Sequence, residues 1–364
     1  MPKELTLNNS LIKHIAVAIA IVALLTACDF TSSLNPLEED TKNKVTEVPT
    51  LTLAVSPYVG WMPWLLAEEE GIYKTHISDY QVDVQIVLDD YTQTIEKFIN
   101  GKVQAIAITN IDAIARLIRE DIKADVILIT SYSNGHDAIL LKAGADLDIR
   151  DETLALLEHS SRHYLLDRYL MRKQITFDEV NIHNIKNETN ILEIFDNDSI
   201  YGVVTVNPYK EMLIQEEKAH LLFDSRQIPK EIMDFIIIRR DILLEYPNFA
   251  QALLATWFLI MERLQGNNRT ATIDSMAKLM NVSRDEYTSQ IQEIILNDTP
   301  TKALSAIRDR SMQKTMRFIR HFAERYGLTG EEPYDRWVSY PGRAPELIHF
   351  NARPLQNFIA PPRD

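Results

Sequence analysis

The stretch that decides the fold runs from Thr50 to Tyr132: TLTLAV (50–55), WMPWLLAEEEG (61–71), VDVQIVL (82–88), YTQTIEKFINGK (91–102), AIAIT (105–109), NIDAIARLIRE (110–120) and ADVILITSY (124–132). Short apolar runs, rich in β-branched residues, alternate with longer amphipathic segments. The alternation predicts a β-α-β-α-β-α-β order, which closes into a mainly parallel sheet with helices on both faces.

A second set begins near Thr153 with TLALLEH, the helical SRHYLLDRYLMRKQI, VNIHNI, ILEIFDND, YGVVTV, PYKEMLIQEEK and HLLFD. It predicts a second α/β lobe. After Pro229, MDFIIIRRDIL reads as a strand returning to the first lobe, and NFAQALLATWFLIMERLQ and RSMQKTMRFIRHFAERYG read as helices. A chain beyond roughly 250–300 residues tends to split into domains, which agrees with two lobes. The expected division is lobe 1 over 50–143 and 230–330 and lobe 2 over 144–229. The chain should cross between them near Ala143–Arg150 and return near Ile228–Asp234, and a weakly patterned tail should occupy 331–364.

Ahead of these lobes the order is Lys3, Lys13, an apolar run from Ile15 to Leu25, then Thr26, Ala27 and Cys28. That is the order of a secretory signal over 1–27. The run is much shorter than the roughly 20 residues a membrane-crossing helix needs. Leu25-Thr26-Ala27-Cys28 resembles a bacterial lipobox, so Cys28 is expected to be cleaved free and lipidated. Lipidation would anchor the chain in a lipid bilayer, facing the periplasm or the cell exterior. Residues 28–49 are polar and acidic and predict a flexible tether.

Cys28 is the only cysteine. An internal disulfide and a cysteine-based metal or redox site are therefore excluded. A formal net charge of -14 argues against nucleic acid as a partner. No cofactor or metal is expected, and His136 has no second histidine at metal-ligand spacing.

In open α/β sheets the ligand lies beyond the carboxyl ends of the strands, facing helix N-termini. That rule selects Ser56, Tyr58 and Trp61 after the first strand and Asp89 and Asp90 after the second. It selects Thr109 and Asn110 after the third, and the loop Ser131–Asp137, with Ser131, Asn134 and Asp137, after the fourth. In the second lobe it selects Glu158–Arg162, with Glu158 and Ser160, and then Thr205 and Asn207. Such loops suit a cleft for a small polar solute. Several of these residues have another reading. Asp89 or Asp90 serves equally as an N-cap, Asp137 as a brace of the hinge turn, Glu158 as one half of a surface ion pair with Arg162, and Trp64 as core.

SPYVGWMPWLLAEEEGIY (56–73) resembles the opening of the nitrate/sulfonate/taurine group of periplasmic binding proteins. LDDYTQTIEKFINGKVQAIAITNIDAI, SYSNGHDAILLKAG, LEHSSRHYLLDRYL, VVTVNPYKEMLI and LFDSRQIPKEIMDFII follow in order to Ile237. Together they resemble the urea-carboxylase-associated binding proteins. Two positions depart: His136 stands where that family usually carries Asn, and Val206 stands where a Trp usually precedes the Asn-Pro pair.

The resemblance implies a two-lobed type II binding protein that closes on its solute and delivers it to an ABC permease. It also implies urea, guanidine or an amide as the solute. Acceptors such as Asp137, Glu158, Asn207 and Ser56 would meet its N–H groups, with Asn110 on its carbonyl and Trp61 or Tyr58 over its flat face. A sulfonate, taurine or nitrate cargo, or a solute-sensing role, stays open. The same fold also carries pyrimidine synthases, but their cysteine-rich, iron-using pattern is absent, so no enzyme is expected.

Overall fold

In the computed structural model, residues 48–75, 78–328 and 336–361 are described. The expected signal segment, Cys28 and nearly all of the tether lie outside them. Val48 to Asp364 form one compact unit built around two sheets.

The first sheet takes β1 (Thr50–Val55), β2 (Asp83–Leu88), β3 (Ala105–Thr109) and β4 (Ala124–Ser133). Helices α1 (Met62–Glu69) and α2 (Tyr91–Ile99) join β1 to β2 and β2 to β3. Every residue of β3 and β4 is buried, as strands covered on both faces require, whereas β2 sits at the edge and only its Val84 is fully buried. Beyond β3, a turn of helix (Asn110–Asp112) passes into a π-helical stretch (Ala113–Leu117).

The second sheet takes β5 (Ala138–Lys142), β6 (Thr153–Leu156), β7 (Asn181–Asn184), β8 (Gly202–Thr205) and β9 (Ala219–Asp224) in the order β7-β6-β8-β5-β9. Here α3 (Ser161–Lys173) follows β6 and α4 (Tyr209–Gln215) follows β8. At Gly202 an added Cβ would lie 2.4 Å from the Leu140 carbonyl oxygen, so the neighbouring strand leaves room for glycine alone.

Strand β10 (Met233–Arg239) returns to the first sheet and lies between β3 and β4, antiparallel to both. Short β11 (Ile294–Leu296) pairs with β4, antiparallel. In the second sheet β5 is antiparallel to β8 and β9 while β6 is parallel to β7 and β8. Both sheets are therefore mixed.

One expected crossing moves. AILLK, assigned by sequence to the first lobe, is β5 of the second sheet, so the first crossing is the turn Ser133–Asp137 and not Ala143–Arg150. Gly135 makes that turn with φ 112°, a conformation that disfavours a side chain, and the polypeptide leaves one apolar strand for another within a few residues. The return lies between β9 and β10.

The tail is not separate either. β12 (Val338–Ser339) and β13 (Ile348–Phe350) extend the first sheet beside β4, and a helix over Arg353–Ile359 packs on α5 (Pro247–Gln265) through the Phe258–Phe358 ring contact. Arg240 fastens this segment by donating to the Leu347 carbonyl (3.2 Å) and to Asp125 (2.7 Å). Trp64 is fully buried and stacked on Trp257 at 5.4 Å, a core residue whose truncation would cost roughly 3–5 kcal/mol. Among the described residues no helix is long and apolar enough to cross a membrane.

Candidate binding cleft

Between the two sheets lies a cleft of about 510 Å³. Its size falls in the usual range for small-molecule sites. The two crossings form its floor and are stitched together. The Ser133 and Ser225 hydroxyls meet at 2.7 Å, and Ser225 Oγ accepts from Gly135 N–H at 2.7 Å.

The first lobe supplies an aromatic and carboxylate wall. Ser56 and Tyr58 follow β1, and Trp61 opens α1. The Tyr58 ring meets Trp61 and His136 edge-on, each at 4.9 Å, and Trp61 lies 5.6 Å from Tyr91. Tyr58 Oη and Ser131 Oγ both donate to Asp234 Oδ2, at 3.0 and 2.6 Å. Burial pushes the Asp234 carboxyl up to about 7, and those two hydrogen bonds only partly oppose it. Deeper in the same wall, Asp112 accepts from Thr109 Oγ1 (2.6 Å) and Tyr91 Oη (3.0 Å), and burial raises its pKa.

The second lobe supplies fixed charge. Arg162 makes a two-pronged pair with Glu188, Nε to Oε1 at 2.6 Å and Nη2 to Oε2 at 2.8 Å, and gives Nη1 to Ser161 at 3.0 Å. Burial works against the Arg162 charge, but Glu188 and Asp137 more than offset it and raise its pKa. Asp137 accepts from Ser133 (2.6 Å) and Ser161 (2.9 Å), so it braces the turn while lining the cleft. Burial drives the His136 imidazole down to about 4, leaving it neutral near pH 7. Trp61 Nε1, His136 Nδ1 and Asn207 Oδ1 are buried with no partner among the described residues.

Of the residues selected from sequence, Ser56, Tyr58, Trp61, Asp90, Thr109, Asp137 and Asn207 line this cleft. Asp90 is also the N-cap of α2, accepting from Thr92 N–H at 2.9 Å, while Asp89 is paired with Lys97. The other selected residues do not line it. Asn110 spans the return crossing, giving Nδ2 to the Glu231 carbonyl (2.9 Å) and taking Met233 N–H (3.0 Å). Ser131 stands behind Asp234, and Asn134 lies in the turn with its N–H on the Glu293 carbonyl at 2.8 Å. Thr205 is buried in β8 with an unpartnered hydroxyl.

Glu158 and Ser160 border a different cavity, of about 570 Å³, beside Arg116 and Arg119. Ser160 caps α3 there, and Arg162 pairs with Glu188 instead of Glu158. The loops Ser131–Asp137 and Glu158–Arg162 do reach the cleft, through Ser133, His136, Asp137, Ser161 and Arg162.

Tyr91, Glu188, Tyr209 and Asp234 were not selected at all. The strand-end rule explains Asp234: β10 runs antiparallel to its neighbours, so its beginning, not its end, faces the cleft. A lone aspartate opening the apolar run MDFIIIR was the available signal. Among the described residues no group of three or more His, Cys, Asp or Glu could hold a metal ion.

Two α/β lobes joined by paired crossings around a polar cleft define the periplasmic binding protein fold. The chain belongs to the NMT1-like family, whose model matches residues 44–281. No curated protein sequence matches it significantly.

Solved structures of similar fold include the periplasmic aliphatic sulphonate binding protein SsuA of Escherichia coli (14% identity, TM-score 0.66, covering 79% of this chain and 97% of that one). A putative periplasmic sulfonate-binding protein of Methylobacillus flagellatus is similar at 13% identity and TM-score 0.64, over 86% of this chain and 96% of that one. The ligand-binding component of an ABC-type import system from Staphylococcus aureus is similar at 13% identity and TM-score 0.60, over 80% and 97%. At these identities the likeness is one of fold.

Proposed function

We propose that the protein is the solute-binding component of an ABC importer and captures a small solute rich in N–H donors, of the urea, guanidine or amide kind. It performs no chemistry on that solute. The observation that carries this reading is the imbalance of charge in the cleft. Asp137, Asp234 and Asp90 face it, while the one guanidinium that lines it among the described residues, that of Arg162, is already engaged by Glu188. A cation or a neutral amide-type N–H donor suits such a site, and Tyr58, Trp61 and Tyr91 offer rings to cover a flat face.

Both lobes contribute contacts, so a solute that touches both favours the closed arrangement over the open one, and the Ser133–Asp137 and Ser225–Ile232 crossings are the hinge. An acylated Cys28 would hold the closed form at the membrane where it meets a permease.

A sulfonate is the second reading, favoured by Arg162 and the hydroxyls of Ser161 and Ser133. It requires the anion to displace Glu188 or to share a guanidinium whose three nitrogens already have partners. A thermal-shift screen of the exported chain with guanidinium, urea, acetamide, taurine, nitrate and methanesulfonate separates the two, because a ligand bound by the folded state alone raises the melting temperature. Stabilisation by an N–H donor is expected. Stabilisation by sulfonates alone contradicts the proposal. A permease and ATPase gene beside this one would favour import, and a receptor kinase gene would favour sensing.

A further inference from the structure

One contact across the cleft has the form of a specificity device. Glu293 belongs to the first lobe: it immediately precedes β11, whose Ile294 pairs with Ser133 of β4, and its carbonyl oxygen holds Asn134 N–H. Its carboxylate reaches the second lobe. Oε2 accepts from Asn207 Nδ2 at 2.6 Å, and Oε1 is paired with Lys210, whose ammonium also donates to the Gly135 carbonyl at 2.7 Å. Lys210 and Asn207 are both buried, at 5% and 7% exposure.

The direction of the Asn207 amide is ordinarily ambiguous, since its oxygen and nitrogen look alike. Here chemistry decides it. An ionised carboxylate can only accept, so the group facing Glu293 must be the NH₂. Lys210 is paired with the other oxygen of the same carboxylate. The Asn207 carbonyl oxygen is thereby turned away from Glu293, and it is a buried acceptor with no partner among the described residues, on a residue that lines the cleft. A buried acceptor left unpaired is destabilising, and a solute N–H would satisfy it where an acceptor-only solute would not.

We propose that Glu293 is a positioning residue for specificity: by holding Asn207 through its NH₂ it presents the Asn207 oxygen to the solute, selects N–H donors, and ties that selection to contact between the lobes. The inference rests on the N–H-donor reading of the cleft. A latch between lobes would require only the Lys210–Glu293 pair and would be indifferent to the solute. The Asn207 contact is what links the latch to chemistry.

The test is calorimetric titration of the exported chain with guanidinium, urea, acetamide and methanesulfonate, in the wild type, Glu293→Gln and Lys210→Met. In Glu293→Gln the new amide can donate to Asn207 and turn it over, so binding of N–H donors should fall at least tenfold while methanesulfonate binding does not fall. Lys210→Met should weaken every probe by a similar and smaller factor. Exchanging the pair, Glu293→Gln with Asn207→Asp, keeps the total charge and an acceptor towards the solute, and should restore donor binding to within about threefold of the wild type. It also supplies a folded variant if the single one melts.

Donor binding unchanged in Glu293→Gln, equal loss of all probes in Glu293→Gln and Lys210→Met, or a tenfold loss in the exchanged pair would overturn the inference while leaving the function standing. A wild type that binds methanesulfonate and no N–H donor, or none of the four, would remove the function and the inference together.

Discussion

The two walls of the cleft handle charge in opposite ways. On the first-lobe wall Asp234 sits among Tyr58, Ser131 and aromatic rings, and burial holds its carboxyl near neutrality, poised between its two forms around pH 7. On the second-lobe wall Arg162 and Glu188 are charged and satisfied by each other, with Ser161 completing the guanidinium. The contrast teaches that burial alone does not decide what a polar group does. A buried charge with a geometric partner becomes scaffold, whereas one with only hydroxyl donors stays available to a ligand.

The sharpest way to break the comparison is on the paired side. Arg162→Ala strands Glu188 in a mostly buried position, and loss of one partner of such a pair typically costs about 3–5 kcal/mol. Thermal melting is the right measure, since guanidinium and urea are themselves candidate solutes. A fall of several degrees is expected, and an unchanged melting temperature would mean the pair carries no structural weight. Asp137→Asn comes next. It keeps one of the two oxygens that Ser133 and Ser161 use, turns the other into an NH₂ from which the second hydroxyl can accept, and removes the charge, so guanidinium affinity should drop by roughly tenfold, about 1.4 kcal/mol. Equal affinity would remove Asp137 from the ligand contacts.

On the poised side the effect is smaller and depends on pH. An unfolded aspartate loses its proton near 3.8, and folded Asp234 retains it to about 7. Between those values the folded state binds the extra proton, so its contribution makes stability fall as pH rises from about 4 to about 7 and level off above. Melting curves of Asp234→Asn should lack that component of the slope, and parallel curves for the two chains would contradict the assignment. The smallest effect belongs to Tyr58→Phe, which removes one hydrogen bond to Asp234 worth about 1 kcal/mol and should be seen as a slightly lower melting temperature.

The two-lobe architecture was legible because β1 to β4 carry the alternation that a covered sheet demands, and MDFIIIR could be placed as a returning strand by its apolar run. The placement of β5 was not, since AILLK has the composition of a first-sheet strand and only the turn at Gly135 redirects it. The tail was hidden for a related reason: two- and three-residue strands at β12 and β13 are too short to show a period. In the cleft, the strand-end rule found Tyr58, Trp61, Asp137 and Asn207 because they follow parallel strands or the crossing. It could not find Asp234, which begins an antiparallel strand, whereas Glu188 follows parallel β7 within the reach of the rule and was passed over because its role depends on its pairing with Arg162.

The most direct test of the central claim is calorimetric titration of guanidinium into the wild type and Asp234→Asn at pH 6 and pH 8. A cation bound by a poised carboxylate displaces its proton, so the wild type should bind more tightly at pH 8 than at pH 6, and the variant should show the same affinity at both. Absent guanidinium binding at either pH, with methanesulfonate bound more tightly at pH 6, would contradict the account.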